Sequence, residues 1–68
     1  MKELLYLSKN LKELRKEMGL TQKEVAVELN ITYQSYQAYE LGLTIPTLQN
    51  FIKLAKLFEV PYEELLQK

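Results

Sequence analysis

Residues 21–42 read Thr-Gln-Lys-Glu-Val-Ala-Val-Glu-Leu-Asn-Ile-Thr-Tyr-Gln-Ser-Tyr-Gln-Ala-Tyr-Glu-Leu-Gly, and they contain two helices with almost nothing between them. Thr21-Gln22-Lys23-Glu24 has the form of a capping box. The Thr21 hydroxyl can accept from the Glu24 amide while the Glu24 side chain reaches back to the Thr21 amide. A helix over 22–29 then buries Val25, Ala26 and Leu29, with Asn30 as its stop. Thr32 can cap a second helix over 33–41, ended by Gly42. Only Asn30-Ile31-Thr32 joins the two apolar cores, too short a connection for an antiparallel pair. The helices must cross steeply, as in a helix-turn-helix. Ala26 is small enough for a close crossing, and Ile31 pins the turn to the core.

Outward from this pair the chain stays helical. Leu4, Leu7, Leu11, Leu14 and Met18 recur at three and four residues, which gives a first helix one apolar face. Gly19 follows as its C-terminal cap, while its start is open, Ser8 being a possible cap. Pro46 pushes Ile45 toward extended geometry, so 43–46 is a loop. Thr47 can cap a fourth helix to about Phe58, with Leu48, Phe51, Ile52, Leu54, Ala55 and Phe58 as its apolar set. Pro61 can open a fifth, short helix to Gln67, where Glu63 and Glu64 suit the positive end of the dipole. No run alternates apolar and polar residues as a strand would. The fold class is all-α, five short helices in one compact domain spanning 1–68.

Composition excludes much chemistry. The 68 residues include no Cys, His, Asp or Trp, so a disulfide, a thiolate nucleophile, a Ser–His–Asp triad and the usual intrachain zinc sites are all out of reach. No metal, cofactor or catalytic residue is expected. At 47% apolar and 26% charged the chain is an ordinary globule rather than a disordered segment. No apolar run approaches the ~20 residues of a membrane span, and the polar start does not resemble a secretory signal, so a cytoplasmic location is expected. Net charge is zero, but residues 1–23 carry six Lys/Arg against three Glu, and 24–68 carry three Lys against six Glu. Between Lys23 and Lys53 there is no basic residue.

On these residues the chain resembles the Cro/repressor-type, Xre-like family of DNA-binding domains. Gly19 to Thr32 and Tyr33 to Gly42 resemble its helix-turn-helix, Leu11 to Met18 its first helix, and Pro46 to Leu66 its last two, so the likeness covers about 7–66. It implies a five-helix repressor-like domain with helix 33–41 in the major groove and the first amides of helix 22–29 facing a phosphate. By position, Tyr33, Gln34, Gln37 and Ala38 would point into the groove, and Gln22 would clamp the backbone or reach a base. A Gln amide can grip adenine at N6 and N7, which makes Gln34 and Gln37 the candidate base readers. Tyr33 can meet a thymine methyl or a phosphate. Lys23, Thr32, Ser35, Thr44 and main-chain amides of 42–47 can hold phosphates and set register. Arg15 and Glu40 occupy positions that pair in the family as a structural salt bridge.

The plainer reading of each residue stays beside this one. Gln34, Gln37 and Gln22 also suit an ordinary solvated face or first turn, and Lys9, Lys12 and Lys16 read as a solvated face with Glu13 and Glu17. Tyr36 and Tyr39 read as core. The family often carries cations where this chain has Tyr33, Ala38, Leu41, Leu43 and Ile45. Ile45 is expected under the loop as core, and Leu43 is divided between core and surface. The expected partner is double-stranded DNA, bound by a homodimer because one reading helix covers few base pairs. Dimer candidates are Tyr62, Leu65 and Leu66, or else Leu4, Leu5 and Tyr6. The rival is a helix-turn-helix fold used for protein contact, as in an antitoxin or a regulator's partner, motivated by the missing cations. No effector domain is read in the chain, so a small-molecule switch is not expected.

Overall fold

In the computed structural model, which describes residues 2–68, the helices are α1 (Lys2–Glu17), α2 (Gln22–Leu29), α3 (Tyr33–Leu41), α4 (Leu48–Phe58) and α5 (Tyr62–Leu65). Three threonines start helices as their hydroxyls allow. Thr21 Oγ1 accepts from the Glu24 amide at 3.1 Å and the Glu24 carboxylate accepts from the Thr21 amide at 2.8 Å, so the box is closed in both directions. Thr32 and Thr47 accept from the Ser35 and Asn50 amides, each at 3.1 Å.

Four helices end by one device. Gly19, Asn30, Gly42 and Glu59 all have positive φ, near 57–74°. After α1 the Gly19 amide donates to Lys16 O and the Leu20 amide to Arg15 O; the same paired bonds follow α2, α3 and α4. This is the Schellman arrangement, which satisfies the last carbonyls and reverses the chain within two residues. Glycine is the ordinary occupant, and Glu59 holds the left-handed position with a Cβ against it, at φ 57°. Glu59→Gly should therefore stabilise the domain by about 0.5–1 kcal/mol, the relieved strain exceeding the entropy glycine adds to the unfolded chain. Urea melts of the two proteins check this.

α3 sits centrally, packed on α2 and α1, while α5 bridges α1 and α4. The core draws Leu7 and Leu11 from α1, Val25, Ala26 and Leu29 from α2, Tyr36 and Tyr39 from α3, Leu54, Ala55 and Phe58 from α4, and Leu65 from α5. The two tyrosine rings meet edge to face, with centroids 6.1 Å apart.

The structure corrects several expectations. Ser8 is not a cap; α1 begins six residues earlier, and Ser8 Oγ donates to Leu5 O within the helix. Met18 and Leu48 keep the apolar spacing but are 43% and 75% exposed. Periodicity assigns a face, whereas burial needs a neighbour at that level of the helix. Ile45 is exposed, not core, and so is Leu43. Pro46 is the loop residue that is buried. Successive side chains of an extended segment point to opposite sides, so burying Pro46 turns Ile45 outward. α5 stops at Leu65 rather than Gln67. There the Asn10 side-chain amide lies 3.2, 3.0 and 2.6 Å from the carbonyl oxygens of Glu64, Leu65 and Gln67, in place of a further helical turn.

Candidate nucleic-acid interface

The pair α2–α3 is locked to α1 through one carboxylate. Arg15 Nε donates to Glu40 Oε2 at 2.7 Å and Arg15 Nη2 to Oε1 at 3.1 Å, a two-pronged ion pair. Arg15 Nη1 also donates to Leu20 O at 2.9 Å, and Gln22 Nε2 donates to Glu40 Oε1 at 3.0 Å. One carboxylate thus holds the side chains of α1, the start of α2 and the end of α3 in register, and Arg15 adds the turn before α2. Both charged side chains are largely shielded, with only 12% and 3% exposed. Burial alone would raise the Glu40 carboxyl; the bonds from Arg15 and the Gln22 amide, with the Arg15 charge, outweigh it and hold the group below the ordinary carboxylate value. Arg15 is shifted upward, chiefly by its bonds to Glu40.

Tyr36 packs beneath this latch, and its hydroxyl is buried without a hydrogen-bond partner. Burial first, then the Glu40 charge, pushes its ionisation far above the usual range. An orphaned buried hydroxyl costs stability that a phenyl ring of the same shape does not. Tyr36→Phe should leave the melting temperature unchanged or raise it, with a gain of up to about 1 kcal/mol; a clear loss in a thermal melt would mean that the hydroxyl is bonded.

The outer side of α3 carries the residues singled out by sequence. Gln34 and Ser35 are exposed, and Tyr33, Gln37 and Ala38 are half-buried along the same rim. Lys23 extends from α2 to place its Nζ 5.8 Å from the Tyr33 ring centroid. Gln34, Ser35, Ala38, Thr44 and Ile45 together line a shallow depression between α3 and the loop that follows it. A second depression, at the start of α2, is lined by Arg15, Gln22, Lys23 and Tyr33 among others.

Some candidate donors are already committed. The Thr32 hydroxyl accepts from the Ser35 amide and donates to Ser35 Oγ at 2.8 Å, which leaves the outward donor with Ser35. The amides of Gly42, Leu43 and Thr44 turn back onto the Tyr39 and Ala38 carbonyls, so these loop donors belong to the α3 cap. Gln22 keeps one amide hydrogen free beyond its bond to Glu40. Of the dimer candidates, Leu65 is fully buried and is corrected to a core residue; α5 turns it inward against α1 and α4. Leu66 is partly buried against the core, and Tyr62 stands open at 49%, its ring 6.0 Å from that of Phe51; of the alternative set, Leu5 stands open at 69%. Among the described residues there is no cluster suited to a metal ion and no helix long and apolar enough to cross a membrane.

Known proteins resemble this chain at the level of sequence. A family described as helix-turn-helix matches residues 11–65. The chain is 40% identical over 60 residues to the uncharacterized HTH-type transcriptional regulator YqaE of Bacillus subtilis, covering 88% of this chain and 52% of that protein. It is 36% identical over 59 residues to the cryptic phage CTXphi transcriptional repressor RstR of Vibrio cholerae, covering 87% and 53%. It is 40% identical over 62 residues to the HTH-type transcriptional regulator ImmR of Bacillus subtilis, covering 91% and 49%. The chain spans about half the length of these curated relatives.

Proposed function

From the premise that this chain belongs to the Cro/repressor-type, Xre-like helix-turn-helix family of DNA-binding transcriptional regulators, we propose that it binds specific operator DNA as a homodimer and acts as a repressor. α3 enters the major groove with its first turns toward the bases. Gln34 and Gln37 read base edges, and Tyr33 and Ala38 make the apolar contacts beside them. Gln22, Lys23, Ser35 and Thr44 hold the phosphate backbone and fix register, together with the first amides of α2. Thr32 acts through Ser35, because its own hydroxyl hydrogen is used there.

The observation that carries this reading is the Arg15–Glu40–Gln22 latch. It fixes the crossing of α2 and α3 while a rim of amides and hydroxyls faces outward. Preorganised polar groups on a rigid helix are what a groove-reading element needs. In vitro selection from a random duplex pool tests it. Enrichment of two related half-sites, spaced about 10 base pairs centre to centre, is expected. Recovery of no sequence above background at low salt would overturn the reading.

A second reading is favoured by one observation, the absence of any Lys or Arg between 23 and 53. Phosphate neutralisation supplies most non-specific DNA affinity. A helix-turn-helix used for protein contact would be revealed by a stable, stoichiometric second protein and by indifference to DNA.

A further inference from the structure

We propose that the cavity between the start of α1 and the turn after α3 binds a small neutral amphiphile, an apolar body of about seven to ten non-hydrogen atoms carrying one hydroxyl group. The cavity measures about 220 Å³ and is lined by Leu4, Leu7, Ser8, Tyr39 and residues 42–45. It is more enclosed than the two depressions beside the outer rim of α3. The reason for the space is local. Leu4, Leu7 and Ser8 fall three and four positions apart, on one face of α1. The turn meets that face with its smallest residue, since a Cβ added to Gly42 would lie 3.5 Å from Ser8 Oγ. Two small residues thus oppose each other among leucines and an isoleucine, and the shortfall in volume stays open.

The chemistry of the lining selects the ligand. None of the described lining residues is charged, so an ion would lose its hydration with nothing in return. Leu43 and Ile45, 73% and 62% exposed, gain apolar cover from an occupant. Ser8 Oγ spends its hydrogen on Leu5 O at 3.1 Å and keeps an oxygen that accepts. The Tyr39 hydroxyl accepts from the Asn50 side-chain amide at 3.1 Å, and its own hydrogen goes to no acceptor among the described residues. One acceptor and one donor are the complement of a hydroxyl group. Size decides the rest. A dry cavity of about 150 Å³ admits benzene, so this one takes a ring with a short substituent and not a peptide segment. Tyr39, Thr44 and Ile45 also line the depression beside Gln34, Ser35 and Ala38. An occupant therefore touches, from the α1 side, three residues that border the DNA rim. The chain shows no effector domain, and a site inside the reading domain itself needs none. The site holds whether or not α3 reads DNA.

The test is titration of the 68-residue chain without DNA, followed by amide chemical shifts. Benzyl alcohol is the probe, and benzoate is its charged counterpart of similar size. Benzyl alcohol is expected to give saturable shifts at Leu4, Ser8, Gly42, Thr44 and Ile45, with a Kd of roughly 1 mM, ordinary for a ligand of about eight non-hydrogen atoms. Benzoate is expected to bind at least roughly ten-fold more weakly. Ser8→Leu fills the space and should weaken the probe by a similar factor. Val27→Gln, in the groove it shares with Met18 and Leu57, should bind like the parent. Circular dichroism melts establish that each variant is folded, and Thr44→Leu, at an exposed position, narrows the same cavity if Ser8→Leu does not fold. Shifts that rise without saturating, benzoate that binds as well as the alcohol, or a filled variant that binds as the parent does overturn the proposal. Loss of binding in Val27→Gln alone would assign the probe to that groove and overturn it as well.

Discussion

Arg15→Ala is expected to lower folding stability by about 3–5 kcal/mol, the cost of leaving a buried carboxylate without its partner. For a domain of this size that is a large share of the total, roughly 3–10 kcal/mol. The variant should be partly or wholly unfolded at 25 °C, and urea titration of far-ultraviolet ellipticity reads the loss. The magnitude follows from geometry. The Glu40 side chain is 3% exposed, receives two bonds from Arg15, and keeps only the Gln22 amide when they are gone. Arg15→Lys restores the charge but not the fork, so it should fall between parent and alanine variant. Any loss of DNA binding in Arg15→Ala should track the unfolded fraction.

The same pair sets an acid limit. The Glu40 carboxyl binds its proton less readily in the folded than in the unfolded chain. Its contribution is therefore complete above the ordinary carboxylate range and falls away as pH drops below it, where the unfolded state takes up the proton first. Stability measured across the acidic range should decline in the parent, and in Glu40→Gln this part of the decline should be missing.

Gln34→Ala with Gln37→Ala should act on specificity and leave the fold alone. A well-placed bidentate contact to a base contributes about 1–3 kcal/mol of discrimination. Two of them lost together lower the ratio of specific to non-specific affinity by roughly 30-fold to 10⁴-fold, while generic duplex affinity stays near that of the parent. Among the described residues neither side chain has a hydrogen-bond partner, and Gln34 is exposed, so the melting temperature should hold within a degree or two. Competition binding between the selected site and random duplex measures the ratio. Unchanged discrimination would move the base readout elsewhere on the molecule.

The helix pair was legible because its signals are local. Thr21 with Glu24, the cap at Thr32, and the stops at Asn30 and Gly42 act within four residues of themselves, and each forms as the sequence reads. The Arg15–Glu40 pairing was reached through resemblance, since its members stand 25 positions apart. The role of Gln22 in the same latch and the bond from Arg15 to Leu20 O carry no sequence signal, because neither follows from spacing. Asn10 was invisible for a stronger version of that reason: its partners lie 54 to 57 positions away and are backbone carbonyls, which every residue has. Glu59 at a left-handed position carries no signal, glycine being the residue that announces such a turn. The errors over Ile45, Leu48 and Leu65 share one source. Hydrophobicity states what a side chain prefers, and the surrounding elements decide which of several apolar candidates is covered. In the loop that residue was Pro46, and at the end of the chain it was Leu65.

Contact between the outer rim of α3 and DNA is read from amide chemical shifts during titration with the selected duplex. The resonances of Tyr33, Gln34, Ser35, Gln37 and Ala38 are expected to move first and furthest, with those of Gln22 and Lys23 following. Shifts confined to α4 and α5, with residues 33–38 unmoved at saturating duplex, would contradict it.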